Sequence, residues 1–291
     1  MKILPLAFDS FGVRSMATFI ETDKKILIDP GVALGPSRYN LPPHPLEIKK
    51  LRELEKVIEE FAQRKAEILT ISHYHYDHYS PYAKFYKDKI LLMKHPKNKI
   101  NFSQQQRAKE FLEEISKKQK KPERIEFADG KKFNFGETKI KFSQPVFHGA
   151  ENSRLGYVIM CSISYKNETI IHASDVQGPQ VKETKDWILK ENPNLLILSG
   201  YPTIFIGWRF SKKGLEESNK NLIEILEKTK VEKIILEHHL LRDLHYKKKI
   251  SEVLKKAKSL SKEILTAAEF LGKENEFLEA KRKELYSSFS T

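Results

Sequence analysis

Three imidazoles and a carboxylate fall within the six residues His73-Tyr74-His75-Tyr76-Asp77-His78, in a chain that has 10 histidines in all. Imidazole nitrogen and carboxylate oxygen are the ligands that zinc, manganese and iron accept. A strand continued through the segment would turn His73, His75 and Asp77 to one face, and a helix would scatter them. The preceding run Ile68-Leu69-Thr70-Ile71-Ser72 reads as a buried strand, so the cluster begins where that strand gives way to a loop. There the side chains can converge on a point, as a metal ion requires. The competing explanation is a surface loop that happens to be rich in histidine and aromatic residues, and so dense a gathering of a scarce residue weighs against it.

The elements that must position this cluster are short. Strands are expected at 3–8, 16–21 and 25–29, the last ending in the turn Asp29-Pro30-Gly31. Between 46 and 65, Leu51, Leu54, Val57, Ile58 and Phe61 recur at helical spacing with charges between them. A strand follows at 89–93 and a charged helix at 104–120. Meandering strands at 125–127, 132–135 and 139–143 are parted by turns at Asp129-Gly130 and Gly136-Glu137, and a further pair spans 156–164 and 169–173. The second half alternates helix 181–191, strand 195–199, helix 213–228, strand 233–237 and helix 247–259, and 273–288 reads as a last helix. Strand-rich halves with interleaved helices indicate an α/β chain with sheets inside and helices outside. No fixed-period repeat and no Pro/Gly/Ser linker interrupts it. Residues 1–291 are therefore expected as one domain, with helical insertions near 46–65 and 104–120 and a helical tail at 247–291.

Composition sets the class. At 291 residues, 40% hydrophobic and 31% charged, the chain can bury a sizeable core and is neither disordered nor fibrous. Its net charge of +13 suits nucleic acid, phosphorylated metabolites or an anionic surface, although mixed Lys/Glu runs also belong to solvated helix faces and to thermophiles. Cys161 is the only cysteine, flanked by apolar residues, so it is expected as an inert core thiol with no disulfide or thiolate metal site. Neither a signal-like start nor an apolar run of about 18 residues is found, so no membrane span is expected and the cytoplasm is the expected location.

His-x-His-x-Asp-His after a buried strand resembles the signature of the metallo-β-lactamase superfamily. The likeness continues in order along the chain: the strand ending in Ile28-Asp29-Pro30-Gly31, a strand ending at His148-Gly149, an acidic turn at Ser174-Asp175 and a late strand ending at His238. Within the superfamily, the chain resembles the uncharacterised archaeal predicted metal-dependent hydrolases. The resemblance implies an αββα sandwich of two mixed β-sheets flanked by helices. It also implies a dinuclear centre in which His73, His75 and His148 hold one divalent ion, Asp77, His78 and His238 hold a second, and Asp175 bridges both. Zinc is the first expectation for the two ions, with manganese or iron as alternatives. His148 and Asp175 each follow an apolar run, at the kind of strand exit where a side chain can face a cleft. His239 competes with His238 for the late position, and His238 is preferred as the first residue past the apolar run. Asp29 would hold a ligating imidazole by its other nitrogen, or simply form the Asp-Pro turn. His172, flanked by apolar residues, is read either as a core residue or as one that supports a ligand from behind.

Two ions so placed acidify a shared water and polarise the group under attack. Asp77 is expected to orient that water, and His239 or His245 to protonate the leaving group. The expected reaction is hydrolysis of an ester, amide, thioester or phosphodiester bond in a small molecule, anionic if Arg14, Arg154, Arg209 and Arg242 ring the cleft. The aromatic-rich segment 199–210 would face the substrate. Nuclease or phosphodiesterase action on nucleic acid is the first alternative, favoured by the positive charge and the many Tyr and Phe. A non-catalytic metal-binding scaffold is the second. Oligomeric state stays open. His75→Ala is expected to lower the metal content of the purified protein, and full metal retention by that variant would sink the two-ion reading.

Overall fold

The computed structural model describes residues 1–288. In the first sheet, β1 (Lys2–Phe8), β2 (Met16–Glu21), β3 (Lys25–Ile28), β4 (Ile68–Ile71), β5 (Ile90–Met93) and β6 (Arg124–Phe127) lie side by side in chain order. β1, β2 and β3 pair antiparallel, whereas β3 to β6 run parallel and need longer crossovers. Two of those crossovers contain α1 (Pro45–Arg64) and α2 (Phe102–Ser116).

Next come β7 (Lys132–Phe135) and β8 (Thr138–Phe142), then a two-strand ribbon of β9 (Val146–Phe147) and β10 (Tyr157–Val158). They are followed by β11 (Cys161–Tyr165), β12 (Glu168–Ala173), β13 (Leu195–Ser199), β14 (Lys233–Glu237) and β15 (Glu263–Leu265). Apart from the ribbon, these strands form the second sheet in the order β15-β14-β13-β12-β11-β8-β7. It is antiparallel from β7 to β12 and parallel from β12 to β15. α3 (Lys182–Glu191) and α4 (Lys212–Lys228) link its parallel strands, as do α5 (Tyr246–Lys249) and α6 (Ser251–Ser259) before β15. α7 (Ala267–Phe270) and α8 (Arg282–Ser288) close the described chain.

The period-two alternation of strands accounts for the layering. Met16 and Ile20 of β2, Ile68 of β4, Ile197 of β13 and Ile235 of β14 meet in a core between the sheets. The neighbouring residues Phe19, Leu69 and Ile71 face outward onto Ile58 and Ala62 of α1 and Phe111 and Ile115 of α2. On the far side, Leu196, Leu198, Ile234 and Leu236 pack on Ile188, Leu222, Ile225 and Val253 of α3, α4 and α6. Covered on both faces, the parallel strands read as continuous apolar runs. The expected αββα sandwich of two mixed sheets is the architecture found. Cys161 is buried in the inter-sheet core, where burial pushes its thiol pKa up, away from reactivity.

The end of the chain departs from expectation. The stretch 247–291, read as a helical tail, contains β15, which adds to the edge of the second sheet beside β14. Of the last helix expected at 273–288, only α8 is helical, and residues 289–291 of the tail lie outside the described residues. The segment before α8 has other demands to meet. Phe277 packs in the outer core beside Tyr246, Leu278 covers Gly12, and Glu279 forms a forked pair with Arg14 at 2.6 and 2.7 Å. A helix would turn three successive side chains in three directions, away from the one surface they share.

α8 is anchored by Arg282, which is fully buried and donates from Nε and Nη2 to the Glu47 carboxylate at 2.8 and 2.7 Å. The same side chain donates to the carbonyls of Gly35 and Leu41 at 2.9 and 3.1 Å. Glu47 in turn caps α1 by accepting from the His44 backbone N–H at 2.8 Å. Removing one partner of such a buried pair strands a charge in a low-dielectric interior. Arg282→Met is therefore expected to cost about 3–5 kcal/mol, and the double variant with Glu47→Gln less than that. Denaturant unfolding of both checks it, and equal losses would rule out the charge-pair account.

Candidate metal centre

The carboxyl ends of β3, β4, β12 and β14 supply most of the site, which is where open parallel sheets place their ligands. Just beyond β3, β12 and β14 lie Asp29, Asp175 and His238, with backbone φ of 49°, 50° and 63°. Left-handed backbone is uncommon for any residue but glycine, and Asp and His are among those that tolerate it best. Such strained exits are typical of functional positions. After β4 the chain makes a turn closed by the His78 N–H donating to His75 O at 2.9 Å, which gathers His73, His75, Asp77 and His78. Gly31 backs this turn, where a Cβ would lie 2.1 Å from Tyr79 N and 2.5 Å from the His78 carbonyl carbon. Only glycine lets the two backbones come so close. The intervening tyrosines point elsewhere: Tyr74 is buried, with its hydroxyl on Lys94 O, and Tyr76 is exposed under the Arg107 guanidinium. His148 follows the short β9.

All seven residues expected as ligands meet around Asp175. Its Oδ2 has His148 Nε2 at 2.9 Å, His73 Nε2 at 3.1 Å, His78 Nε2 at 3.3 Å and His75 Nδ1 at 3.9 Å. Its Oδ1 has the Nε2 atoms of His238 and His239, each at 3.1 Å. Asp77 lies 3.8 Å from His78 Nε2 and 3.5 Å from His238 Nε2. Two groups of donor atoms follow from this geometry, one of His73, His75, His148 and Asp175, the other of Asp77, His78 and His238. Asp175 also groups with His238 and His239, so both late histidines are at the centre. His73, His78, His148, His238 and Asp175 are buried, whereas His75, Asp77 and His239 keep 22%, 16% and 14% of their side chains exposed. Those three residues mark the face open to a substrate.

The arrangement fits divalent cations. His73 Nε2 and His148 Nε2 lie 3.0 and 3.2 Å from His75 Nδ1, so ring nitrogens face one another. Although donor atoms lie within 3.3 Å of them, buried His78 Nε2 and Asp175 Oδ1 make no well-aligned hydrogen bond among the described residues. Burial pulls His73 and His75 below their ordinary values, leaving neutral rings with a lone pair to give. Burial alone would raise Asp175, but the surrounding imidazoles, His148 and His238 foremost, hold it well below the usual carboxylate range. For His78, burial is outweighed by the Asp175 and Asp77 carboxylates, which push it up to about 10. Without a cation the cluster must take up protons to balance its carboxylates, and a metal ion does the same work.

Two carboxylates support the ring nitrogens that face away from the centre. Asp29 accepts from the Ser72 backbone N–H at 2.8 Å, the Ser72 hydroxyl at 2.7 Å and His78 Nδ1 at 3.0 Å. The second, Asp9, escaped the sequence reading. It accepts from His238 Nδ1 at 2.7 Å and from Arg242 Nε at 3.0 Å. Its one legible sign was a carboxylate directly after the strand Lys2–Phe8. Gln177, with its Nε2 3.3 Å from His239 Nε2, was missed too. Of the four arginines expected near the cleft, Arg242 contacts His239 and Asp9, and Arg14 is tied to Glu279. Arg154 and Arg209 are exposed on loops, the latter stacked on Trp208. His245 is also exposed, at the start of α5. His172 is buried and bonds Met16 O at 2.8 Å, as the core reading expects.

The chain is 46% identical to a UPF0282 protein of Methanopyrus kandleri, over 98% of this chain and 99% of that one. It is 48% identical to a UPF0282 protein of Methanocaldococcus jannaschii, over 98% and 96% of the two chains. It matches no family model. Among solved structures, yeast PDE1 aligns with a TM-score of 0.54 at 13% identity, covering 91% of this chain and 96% of that one. CmlA, a diiron β-hydroxylase from Streptomyces venezuelae, aligns with a TM-score of 0.50 at 9% identity, covering 86% of this chain. This chain spans about half the length of CmlA, 51% of it. At such identities the likeness speaks for the fold alone, and that fold is the metallo-β-lactamase sandwich.

Asp29→Ala removes the acceptor that orients the His78 ring and the start of the ligand turn. It is expected to weaken metal binding about 10–100-fold, measured by competition with a chromophoric chelator. Unchanged affinity would show that the turn holds its shape without Asp29.

Proposed function

Because the chain belongs to the UPF0282 family and wraps the metallo-β-lactamase fold around a buried His/Asp cluster, we propose that it is a metal-dependent hydrolase with a dinuclear centre. The observation that carries this reading is Asp175, whose two oxygens face different histidines, as a bridge between two ions requires. His73, His75 and His148 would hold one ion and Asp77, His78 and His238 the other. The donor set of nitrogen and oxygen suits zinc first, with manganese or iron also acceptable. Bound there, the ions supply Lewis acidity to the scissile group and acidify the attacking water.

The chain's own residues do the rest. Asp77, partly exposed beside His78 and His238, accepts a hydrogen bond from the attacking water and orients it. His239, on the open face, donates to the leaving group. Arg14 is paired with Glu279 and Arg242 with Asp9, so the reading of an anionic small molecule carrying an ester, amide or phosphodiester bond is supported by the chain's net charge of +13. Nucleic acid is the second reading, supported by the +13 charge and by two exposed aromatics paired with guanidinium groups, Tyr76 with Arg107 and Trp208 with Arg209.

Elemental analysis of the purified protein is expected to return about two equivalents of zinc, manganese or iron, and a generic phosphodiester or a generic lactone should be turned over. Less than about a tenth of an equivalent after reconstitution would overturn the dinuclear centre. Full metal with neither bond cleaved would favour the scaffold reading. Binding of single-stranded nucleic acid that weakens steeply with salt would move the substrate to the second reading.

A further inference from the structure

His238 and His239 are neighbours in sequence and both present Nε2 to Asp175 Oδ1 at 3.1 Å. By distance alone either could serve as the late ligand. Their other nitrogens meet opposite partners. His238 Nδ1 lies 2.7 Å from Asp9 Oδ2, and a carboxylate can only accept, so Nδ1 carries a proton and Nε2, which faces Asp175 Oδ1, is the nitrogen left to an ion once any proton there is displaced. His239 Nδ1 lies 2.9 Å from Arg242 Nη1. A guanidinium only donates and does not lose its proton, so His239 Nδ1 must be the acceptor and its proton sits on Nε2.

The local fold enforces this contact. Residues His238–Arg242 form one short 3-10 helix, in which side chains three apart eclipse, and this sets Arg242 over His239. Asp9 secures the arrangement from outside by accepting from Arg242 Nε at 3.0 Å with one oxygen while holding His238 with the other. Arg242 Nη2 also lies 3.4 and 3.5 Å from the nitrogens of His238, both longer than the Asp9 contact that governs that ring. Gln177 fits the same assignment. Its Oε1 has no partner among the described residues, and a half-turn of the amide would place that oxygen against an Nε2–H on His239.

We propose that Arg242 sorts two adjacent imidazoles, fixing the proton of His239 on Nε2 so that it serves as an N–H donor and reserving His238 as the ligand. This rests on the dinuclear hydrolase reading for its purpose but not for its geometry. Arg242 is a positioning residue, since it acts through His239. A metal on Nε2 of His239 would need the proton moved to Nδ1, against a guanidinium that has no lone pair to receive it.

Nuclear magnetic resonance of metal-free protein with isotope-labelled histidine reads the tautomers directly. The expected result is a proton on Nδ1 of His238 and on Nε2 of His239. A proton on Nδ1 of His239 overturns the proposal, whether or not the protein proves to be a hydrolase. Metal content gives a second, independent test. His238→Ala is expected to lose one of the bound equivalents, because His239 cannot replace it. Adding Arg242→Met should restore part of that loss by freeing His239 Nε2. Full metal in His238→Ala alone, or no recovery in a folded double variant, counts against the sorting role. Absence of metal from the unsubstituted protein would instead remove the hydrolase reading and leave the tautomers standing.

Discussion

Asp175 is a carboxylate with about 1% of its surface exposed, encircled by six imidazoles. Taking a charge out of water costs several kcal/mol unless partners compensate it, so the position is tenable only while all of its neighbours are in place. Those neighbours come from β4, from the turn after β9 and from β14, and Asp175 itself follows β12. The two sheets must therefore stack in one way, with their parallel strands ending at a common rim, or the charge is left unpaired. The αββα architecture and the site are in that sense one constraint, and the apolar inter-sheet core supplies the free energy that the site draws on.

Around that centre the chain ends act as braces. Asp9, close to the start, reaches His238 and Arg242. Glu279, close to the end, forks onto Arg14, and burial, which would raise it, is outweighed by Arg14 and Arg242, which bring it down to about 2. Arg282 then ties α8 to Glu47 at the start of α1. Segments more than two hundred residues apart in sequence are thus joined by buried charge pairs on one flank of the cluster. Such pairs contribute more to a single geometry than to net stability, which suits a site whose donor atoms must converge to within a few tenths of an ångström.

The opposite flank is open. His75, Asp77 and His239 are the partly exposed members of the cluster. Tyr76, between His75 and Asp77 in the same turn, stands exposed with the Arg107 guanidinium against its ring. The same six-residue turn therefore carries buried donor groups, among them His73 and His78, beside the exposed ring of Tyr76. One short turn thus has a buried, charge-compensated side and a partly exposed aromatic side.

The histidine motif was legible in the sequence because its members are adjacent, and adjacency after an apolar strand is a local property. His148, Asp175 and His238 were reached only through the order of strand exits, and the strands themselves were legible because both faces are buried and the runs are continuous. Asp9 was not legible, since a single carboxylate after a strand carries no pattern and its partners lie 229 and 233 residues away. The irregular segment before α8 was misread because its Lys/Glu-rich composition mimics a helix, while its conformation is set by Phe277, Leu278 and Glu279 docking on distant elements. The difference between His238 and His239 is of the same kind. Residue type and position make them equivalent, and only folding brings a carboxylate to one ring and a guanidinium to the other. Sequence alone determined which groups could bind metal, because that is a matter of local chemistry. Tertiary structure decided which nitrogen of each ring must carry a proton, because that is set by whatever the rest of the chain places against it.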